Sequence, residues 1–399
     1  MNAPTTEITA RLRPARRAEQ VRSSAIRDVL KVARRAGMIS LAGGLPAPET
    51  FPVEAMRAAF EAALTQDGPG ALQYSATEGC EALREWIAAR ESAHGAPTQA
   101  DEVLIVAGSQ QALDLVGKAF AEPGAPLLVE APSYLGALQA FSVYEPAFRT
   151  LPSDAGGLMP EAIDAQLAHD ARLAYVMPSF QNPTGRTLDA DRRAALAQVA
   201  RVHDVWLVED DPYGALWYRA APPPSLRVWA PERTIRIGSF SKVLAPGLRL
   251  GYVVAPRACI DLLARLKQAT DLHTATLSQQ AALRVVSGAG FPAHLAQVRA
   301  RYADQCRVML AALERSMPAG VEWTRPDGGM FVWLTLPAHL DAGELLPRAI
   351  ERNVIYVPGA PFYAGEPARN TLRLSFVSVP PASIEHGVRT LAEIFRAAL

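Results

Sequence analysis

A lysine set among hydroxyls, with an arginine further along, is the first place to look for chemistry: Ser239-Phe240-Ser241-Lys242-Val243-Leu244-Ala245-Pro246-Gly247-Leu248-Arg249. The Lys242 amine can condense with an aldehyde to form an imine, while Ser239, Ser241 and Arg249 can hold a dianionic phosphate beside it. Alone, the segment reads as an ordinary surface loop, as most short motifs do. Its weight changes because other polar segments also follow short apolar runs.

One of these is Gly108-Ser109-Gln110, after Val103 to Ala107 and before a helical pattern with Leu113, Val116 and Phe120 on one face. Free backbone N–H groups at such a helix start bind phosphate, or the segment is simply an N-cap. Gly117-Lys118 is not a nucleotide P-loop, because Ala112 stands where that motif needs glycine and Ala119 where it needs Ser or Thr. A second segment is Glu209-Asp210-Asp211-Pro212-Tyr213. A carboxylate such as Asp210 against a pyridine nitrogen keeps the ring protonated and makes it an electron sink, and Tyr213 is placed to reach the ring's phenolic oxygen. A third is Pro178-Ser179-Phe180-Gln181-Asn182-Pro183-Thr184-Gly185, in which Asn182 can donate to that same oxygen and the Asn-Pro bond admits a cis peptide. Tyr134, after Glu130-Ala131-Pro132-Ser133, can stack on such a ring. In the last apolar run Leu372, Leu374 and Phe376 share one face, so Arg373 lies on the other with Ser375, where a planar guanidinium suits a carboxylate.

The elements that must position these groups follow from the periodicity. Apolar runs at Val103 to Ala107, Leu127 to Glu130, Leu173 to Met177, Val205 to Glu209, Thr234 to Ile237 and Leu250 to Val254 alternate with longer helical patterns. This predicts an α/β fold with a mostly parallel sheet sandwiched by helices and ligands gathered at the strands' carboxyl ends. Near Phe291-Pro292 the alternation gives way to a long helical pattern and then strands at Gly329 to Leu336 and Thr371 to Phe376, a smaller α+β domain. The expected division is 1–50 as an N-terminal arm and helix belonging to the small domain, 51–291 as the large domain and 292–399 as the C-terminal small domain. In the first of these, Ser23 and Ser24 offer a cap and Ile26, Val29, Leu30 and Ala33 form an apolar stripe, with Arg27 off it. Leu41 to Pro48, rich in breakers yet apolar, reads as a buried loop.

With 40 basic and 40 acidic side chains the formal charge is zero, which favours neither nucleic acid nor an anionic membrane as a partner. No apolar run approaches a membrane span, and no apolar signal core follows Met1. Five arginines, Arg11, Arg13, Arg16, Arg17 and Arg22, mark a solvated N-terminal arm, which Glu7 and Glu19 distinguish from a transit segment. Cys80, Cys259 and Cys306 are too scattered for a disulfide framework and suit the cytoplasm; with no HExxH and no His/Cys cluster, no metal is expected.

From Leu41 to the end these segments, in this order, resemble the class I and II aminotransferases of fold type I. The phrases Ala42-Gly43-Gly44-Leu45-Pro46-Ala47-Pro48 and Glu209-Asp210-Asp211-Pro212-Tyr213 are similar to the 2-aminoadipate and kynurenine aminotransferase subgroup. The resemblance implies pyridoxal 5′-phosphate, joined as an imine to Lys242. Ser109, Gln110, Ser239, Ser241 and Arg249 then match phosphate ligands, Asp210 the partner of the ring nitrogen, Tyr213 and Asn182 the ligands of the phenolic oxygen, Tyr134 the stacking ring and Arg373, with Asn182 and Gly44, the substrate contacts. Tyr74 matches a tyrosine that reaches the cofactor of a neighbouring subunit, which implies a homodimer with shared sites. Arg27 falls where some members carry an arginine for a substrate's distal carboxylate. The implied activity moves an amino group from an amino acid (glutamate, 2-aminoadipate or aromatic) to a 2-oxo acid such as 2-oxoglutarate in ping-pong fashion, with Lys242 as the base. A lyase or decarboxylase reaction at the same Cα is the rival within the enzyme class. An aminotransferase-like transcription regulator is the rival outside it, but about 40 residues before the matching region are too few for a DNA-binding domain and linker.

Overall fold

Continuous apolar runs favour strands covered on both faces, and in the computed structural model the runs Val103–Val106 and Leu173–Val176 are buried at every position. The structure describes residues 13–19, 32–33 and 35–399. Seven strands form the large sheet, in the order Val103–Val106, Gly251–Val254, Thr234–Ser239, Trp206–Asp211, Leu173–Val176, Pro126–Glu130 and Ala147–Leu151. All run parallel except Gly251–Val254, which is antiparallel to both neighbours. Its register places Gly251 opposite Ser239, so the loop carrying Lys242 and Arg249 turns back at the same edge where the parallel strands end. The edge strand Ala147–Leu151 is absent from the sequence reading, because Ala-Phe-Arg-Thr-Leu, largely uncovered, contains no continuous apolar run.

A second, antiparallel sheet is built from Glu322–Trp323, Phe331–Thr335, Thr371–Ser375 and Val357–Pro358. The helix Phe291–Ser316 leads to it, with Pro292 tolerated in the first turn. Its Leu295, Val298, Tyr302, Cys306, Met309 and Leu313 recur three or four residues apart and are buried, which makes one apolar face for the helix Pro381–Arg396 to pack on. Ile39–Ser40 pairs in parallel with Val354–Ile355. Beyond it the chain stays attached to the C-terminal sheet, since Leu41 N–H donates to Ile355 O at 2.9 Å and Ser375 N–H donates to Leu41 O at 2.7 Å. The following loop is largely buried at Leu41, Ala42, Gly43, Pro46 and Ala47, with Leu45 turned outward. Among the described residues no helix is long and apolar enough to cross a membrane.

Candidate active site

Alternation along Trp206–Asp211 separates its three acids. Glu209 and Asp211 face Arg236, which meets Glu209 Oε1 at 2.8 Å, Asp211 Oδ2 at 2.9 Å and Glu91 Oε2 at 3.0 Å. Asp210 points to the other face, 1% exposed. There Tyr175 O–H donates to its Oδ2 at 2.8 Å, while Oδ1 is buried with no partner. Burial lifts the Asp210 carboxyl to about 7, against the lowering effect of the Tyr175 hydrogen bond. A buried carboxylate with one open oxygen is costly unless something donates to it, and a protonated ring nitrogen would do so.

Lys242 Nζ donates to Gly44 O at 2.9 Å, across from the loop that the C-terminal sheet holds. Burial, then the charges of Arg373 and Arg249, depress its pKa to about 8, so about a tenth of the amine is free to act as nucleophile or base at pH 7, far more than an ordinary lysine offers. Gly44 sits close against the site: a Cβ there would lie 2.9 Å from Phe331 Cζ.

Arg373 is 2% exposed, and its guanidinium is held rather than neutralised. Nη1 donates to Asn182 Oδ1 and Nη2 to Ala42 O, both at 2.8 Å, while Nε has no partner. The Phe331 ring lies 4.2 Å and the Phe362 ring 5.1 Å from its Cζ. Burial lowers its pKa to about 10. Such a cation, with no carboxylate within 4.0 Å among the described residues, is set up to receive one from a ligand. Asn182 follows a loop whose Asn182-Pro183 bond is cis, and its amide faces the Tyr213 oxygen.

At the far end of the same edge Gly108, at φ +88°, caps the helix Ser109–Phe120 with its backbone alone. A Cβ on Gly108 would fall 2.7 Å from Arg249 Nη2, so glycine is what lets the guanidinium cover the helix start. Gly251 is equally tight, 3.0 Å from Ser109 N for a built Cβ. Ser239 Oγ accepts from Ser241 N–H at 3.2 Å, and Gln110 Nε2 donates to Gly136 O at 2.9 Å. Helix N–H groups, two serines and an arginine thus converge in an arrangement suited to a phosphate.

Tyr134 precedes the helix Leu135–Ser142, and burial raises its hydroxyl to about 12. Gly136 leaves room for its ring. Tyr74 stands apart from this group, 78% exposed with its ring edge-on to His273 at 5.8 Å. Arg27 lies outside the described residues. The sequence reading missed Tyr175, which holds Asp210, and Phe331 and the Ala42 carbonyl, which hold Arg373. Tyr175 pairs in register with Val208, and that register is what puts its face with Asp210; nothing local to Leu173–Val176 announces it.

The open Asp210 oxygen, the half-buried amine of Lys242 and the phosphate-type cradle fit a phosphorylated pyridine aldehyde. Comparison with known proteins agrees. Residues 37–391 match the model of the family described as aminotransferase class I and II. The chain is 44% identical over 391 residues to a 2-aminoadipate transaminase of Thermus thermophilus, covering 96% of each protein. It is 41% identical over 387 residues to aromatic-amino-acid aminotransferase 1 of Thermococcus litoralis, covering 94% of this chain and 92% of that one. The crystal structure of LysN, the α-aminoadipate aminotransferase of Thermus thermophilus, complexed with N-(5′-phosphopyridoxyl)-L-leucine, superposes with a TM-score of 0.89 at 42% identity, covering 96% of this chain and 97% of that one. The geometry and the likeness converge on one assignment: the chain belongs to the class I and II aminotransferases, of fold type I, and its cofactor is pyridoxal 5′-phosphate.

Proposed function

We propose that Lys242 is the residue that holds the cofactor and moves the substrate proton, with Asp210, Arg249 and Arg373 fixing the ring nitrogen, the phosphate and the substrate carboxylate. The observation that carries this is the Lys242 amine itself: half-buried against Gly44 O, lowered to about 8, and within the fields of both Arg373 and Arg249. Bound here, pyridoxal phosphate supplies an electron-withdrawing ring that acidifies the substrate's Cα–H and carries the amino group between substrates. Asp210 Oδ1, which has no partner in the chain, would accept from the ring nitrogen, while Tyr175 holds Oδ2. Arg373 takes the α-carboxylate on its open edge, with Asn182 fixing the guanidinium plane. Asn182 and Tyr213 would hold the ring's oxygen, Tyr134 would cover the ring, and Ser109, Gln110, Ser239 and Ser241 would hold the phosphate. Lys242 would hold the cofactor and, as a free amine, would take the proton at the substrate's Cα, with Gly44 O as its resting acceptor.

The test is spectroscopic. Purified protein with pyridoxal phosphate should absorb in the near-visible, bleach with an amino donor and recover with a 2-oxo acid, as a ping-pong cycle requires. Lys242→Ala should lose borohydride-stable attachment of the cofactor and drop kcat by about 10⁴-fold. A variant that keeps wild-type turnover would end the assignment.

For substrates, we read glutamate or 2-aminoadipate as donor and 2-oxoglutarate as acceptor, with aromatic amino acids as the second class; the names of the two relatives support both. Arg27 is the discriminator: Arg27→Ala should lower kcat/KM for dicarboxylic substrates by at least about tenfold more than for aromatic ones. A two-fold dimer with shared sites is supported by the exposure of Tyr74, at 78%, beside Leu72 at 72%. Tyr74→Phe should then weaken cofactor binding in a complementable way, restored in mixed dimers with a Lys242→Ala chain. The division at 50 and 291 and a cytoplasmic setting, which suits three free cysteines, complete the reading.

A further inference from the structure

A pocket of about 160 Å³ opens on the face of the large sheet opposite Asp210, between the helix Glu81–Ala93, the loop around Pro222 and the helix Phe291–Ser316. Arg236 lines it, paired with three carboxylates, Glu91, Glu209 and Asp211. Arg193, also in the lining, donates to the carbonyls of Leu188, Pro178, Pro223 and Pro224. Two further arginines border the same space without a carboxylate partner. Arg299 donates through Nε to Ala215 O at 2.7 Å and lies 4.0 Å over the Trp217 ring; Arg90 lies 5.6 Å over the Trp86 ring. Among the described residues neither has a carboxylate within 4.0 Å, and both are only half-exposed.

These two guanidinium groups repel. Burial first, and then the Arg90 charge, lowers the pKa of Arg299. Each is held in place by an indole, so they cannot simply swing apart, and their outward N–H groups remain free to donate. His94, with Nδ1 on the Arg90 carbonyl at 2.7 Å, adds a third basic side chain at the rim. The acids that line the pocket, Glu91 and Asp211, bond to Arg236 and to neither member of the pair.

We propose that this pocket is a second binding site, for a small oxyanion presenting a carboxylate or phosphate group, gripped between Arg90 and Arg299. Two guanidinium forks converging on one anion supply charge-assisted hydrogen bonds and relieve the repulsion between them. The occupant ties the helix Glu81–Ala93 to the helix Phe291–Ser316. The latter also carries His294, whose Nε2 donates to Val243 O at 2.9 Å, beside Lys242. Ser239 and Val243 border the pocket as well, so the ligand lies directly behind the catalytic loop and acts as an effector.

The test uses the cofactor-loaded protein. Tryptophan fluorescence is titrated with sodium phosphate in one arm and sodium acetate in the other, at ionic strength held constant with sodium chloride. A saturable change is expected in at least one arm, and the arm that saturates at lower concentration identifies the anion. Arg90→Gln and Arg299→Gln, on different helices, should each raise the half-saturating concentration at least about tenfold while the cofactor spectrum stays unchanged. The absence of saturation in both arms would overturn the site. So would titration curves that neither substitution shifts, because the anion would then be bound elsewhere, for example at Arg373.

Discussion

Arg236, with 13% of its side chain exposed, and Arg373, fully buried, are arginines on sheet strands that live in opposite circumstances. Arg236 is surrounded by Glu91, Glu209 and Asp211 at 2.8 to 3.0 Å. Arg373 meets only a carbonyl and an amide oxygen and, among the described residues, has no carboxylate within 4.0 Å. The same contrast divides neighbouring residues on one strand, where Glu209 also accepts from Ser225 O–H and Leu226 N–H while Asp210 keeps an empty oxygen. A buried charge balanced within the chain is structure; one left unbalanced is held ready for something that arrives. On that criterion Asp210 and Arg373 are the fully buried charges left open.

The comparison can be broken most sharply at Arg236. Arg236→Gln strands three carboxylates and should cost about 3 to 5 kcal/mol of stability in urea unfolding, with little change in the cofactor spectrum of what remains folded. A variant as stable as the parent would show that this network is not structural. Asp210→Asn should do the reverse. The folded carboxyl lies at about 7, above its ordinary 3.8, so without cofactor Asp210 favours folding least at high pH. That penalty is absent below about 4, grows through the window between the two values and is complete above 7. Lifting the carboxyl this far corresponds to at most about 4 kcal/mol, so cofactor-free Asp210→Asn should melt higher than wild type at pH 8 but not at pH 4, while its transamination falls. Equal melting at both values would mean that the open oxygen carries no cost.

Arg373→Gln should lower kcat/KM about a hundredfold, roughly 2.7 kcal/mol, without lowering the melting temperature. A loss of stability like that at Arg236 would erase the distinction between the two. The smallest effect is expected at Tyr175. Removing its hydroxyl withdraws the hydrogen bond that lowers the Asp210 carboxyl, so Tyr175→Phe should raise that pKa further and weaken cofactor affinity by about 1 kcal/mol, about fivefold. The titration of cofactor absorbance with pH would report it independently of turnover.

Much of this is legible without coordinates. Lys242, Asp210, Asn182 and Ser109 each follow an apolar run, and in a parallel sheet such positions share one edge; alternation alone assigns Arg373 to its face. What the chain does not announce locally is pairing. The strand Gly251–Val254 has the composition of its neighbours but runs the other way, and Ala147–Leu151 has no apolar run to betray it. The fate of Glu209 and Asp211 depends on Arg236 lying beside them in register, with Glu209 opposite Arg236. Tyr175 becomes visible only through the same kind of register. Backbone contributions, such as the carbonyls of Ala42 and Gly44, leave no residue type to read.

Those two carbonyls carry a consequence for how the protein is made. Lys242 and Arg373 bond to a loop near the start of the chain, and that loop is anchored by Ile355 and Ser375 near its end. During synthesis, the Gly44 loop must wait for more than three hundred residues before its anchor leaves the ribosome. A nascent chain that already displays Lys242, Asp210 and Arg249 still lacks the wall that closes over them. Stable capture of the cofactor should therefore require synthesis at least as far as Ser375, and shorter products should release it.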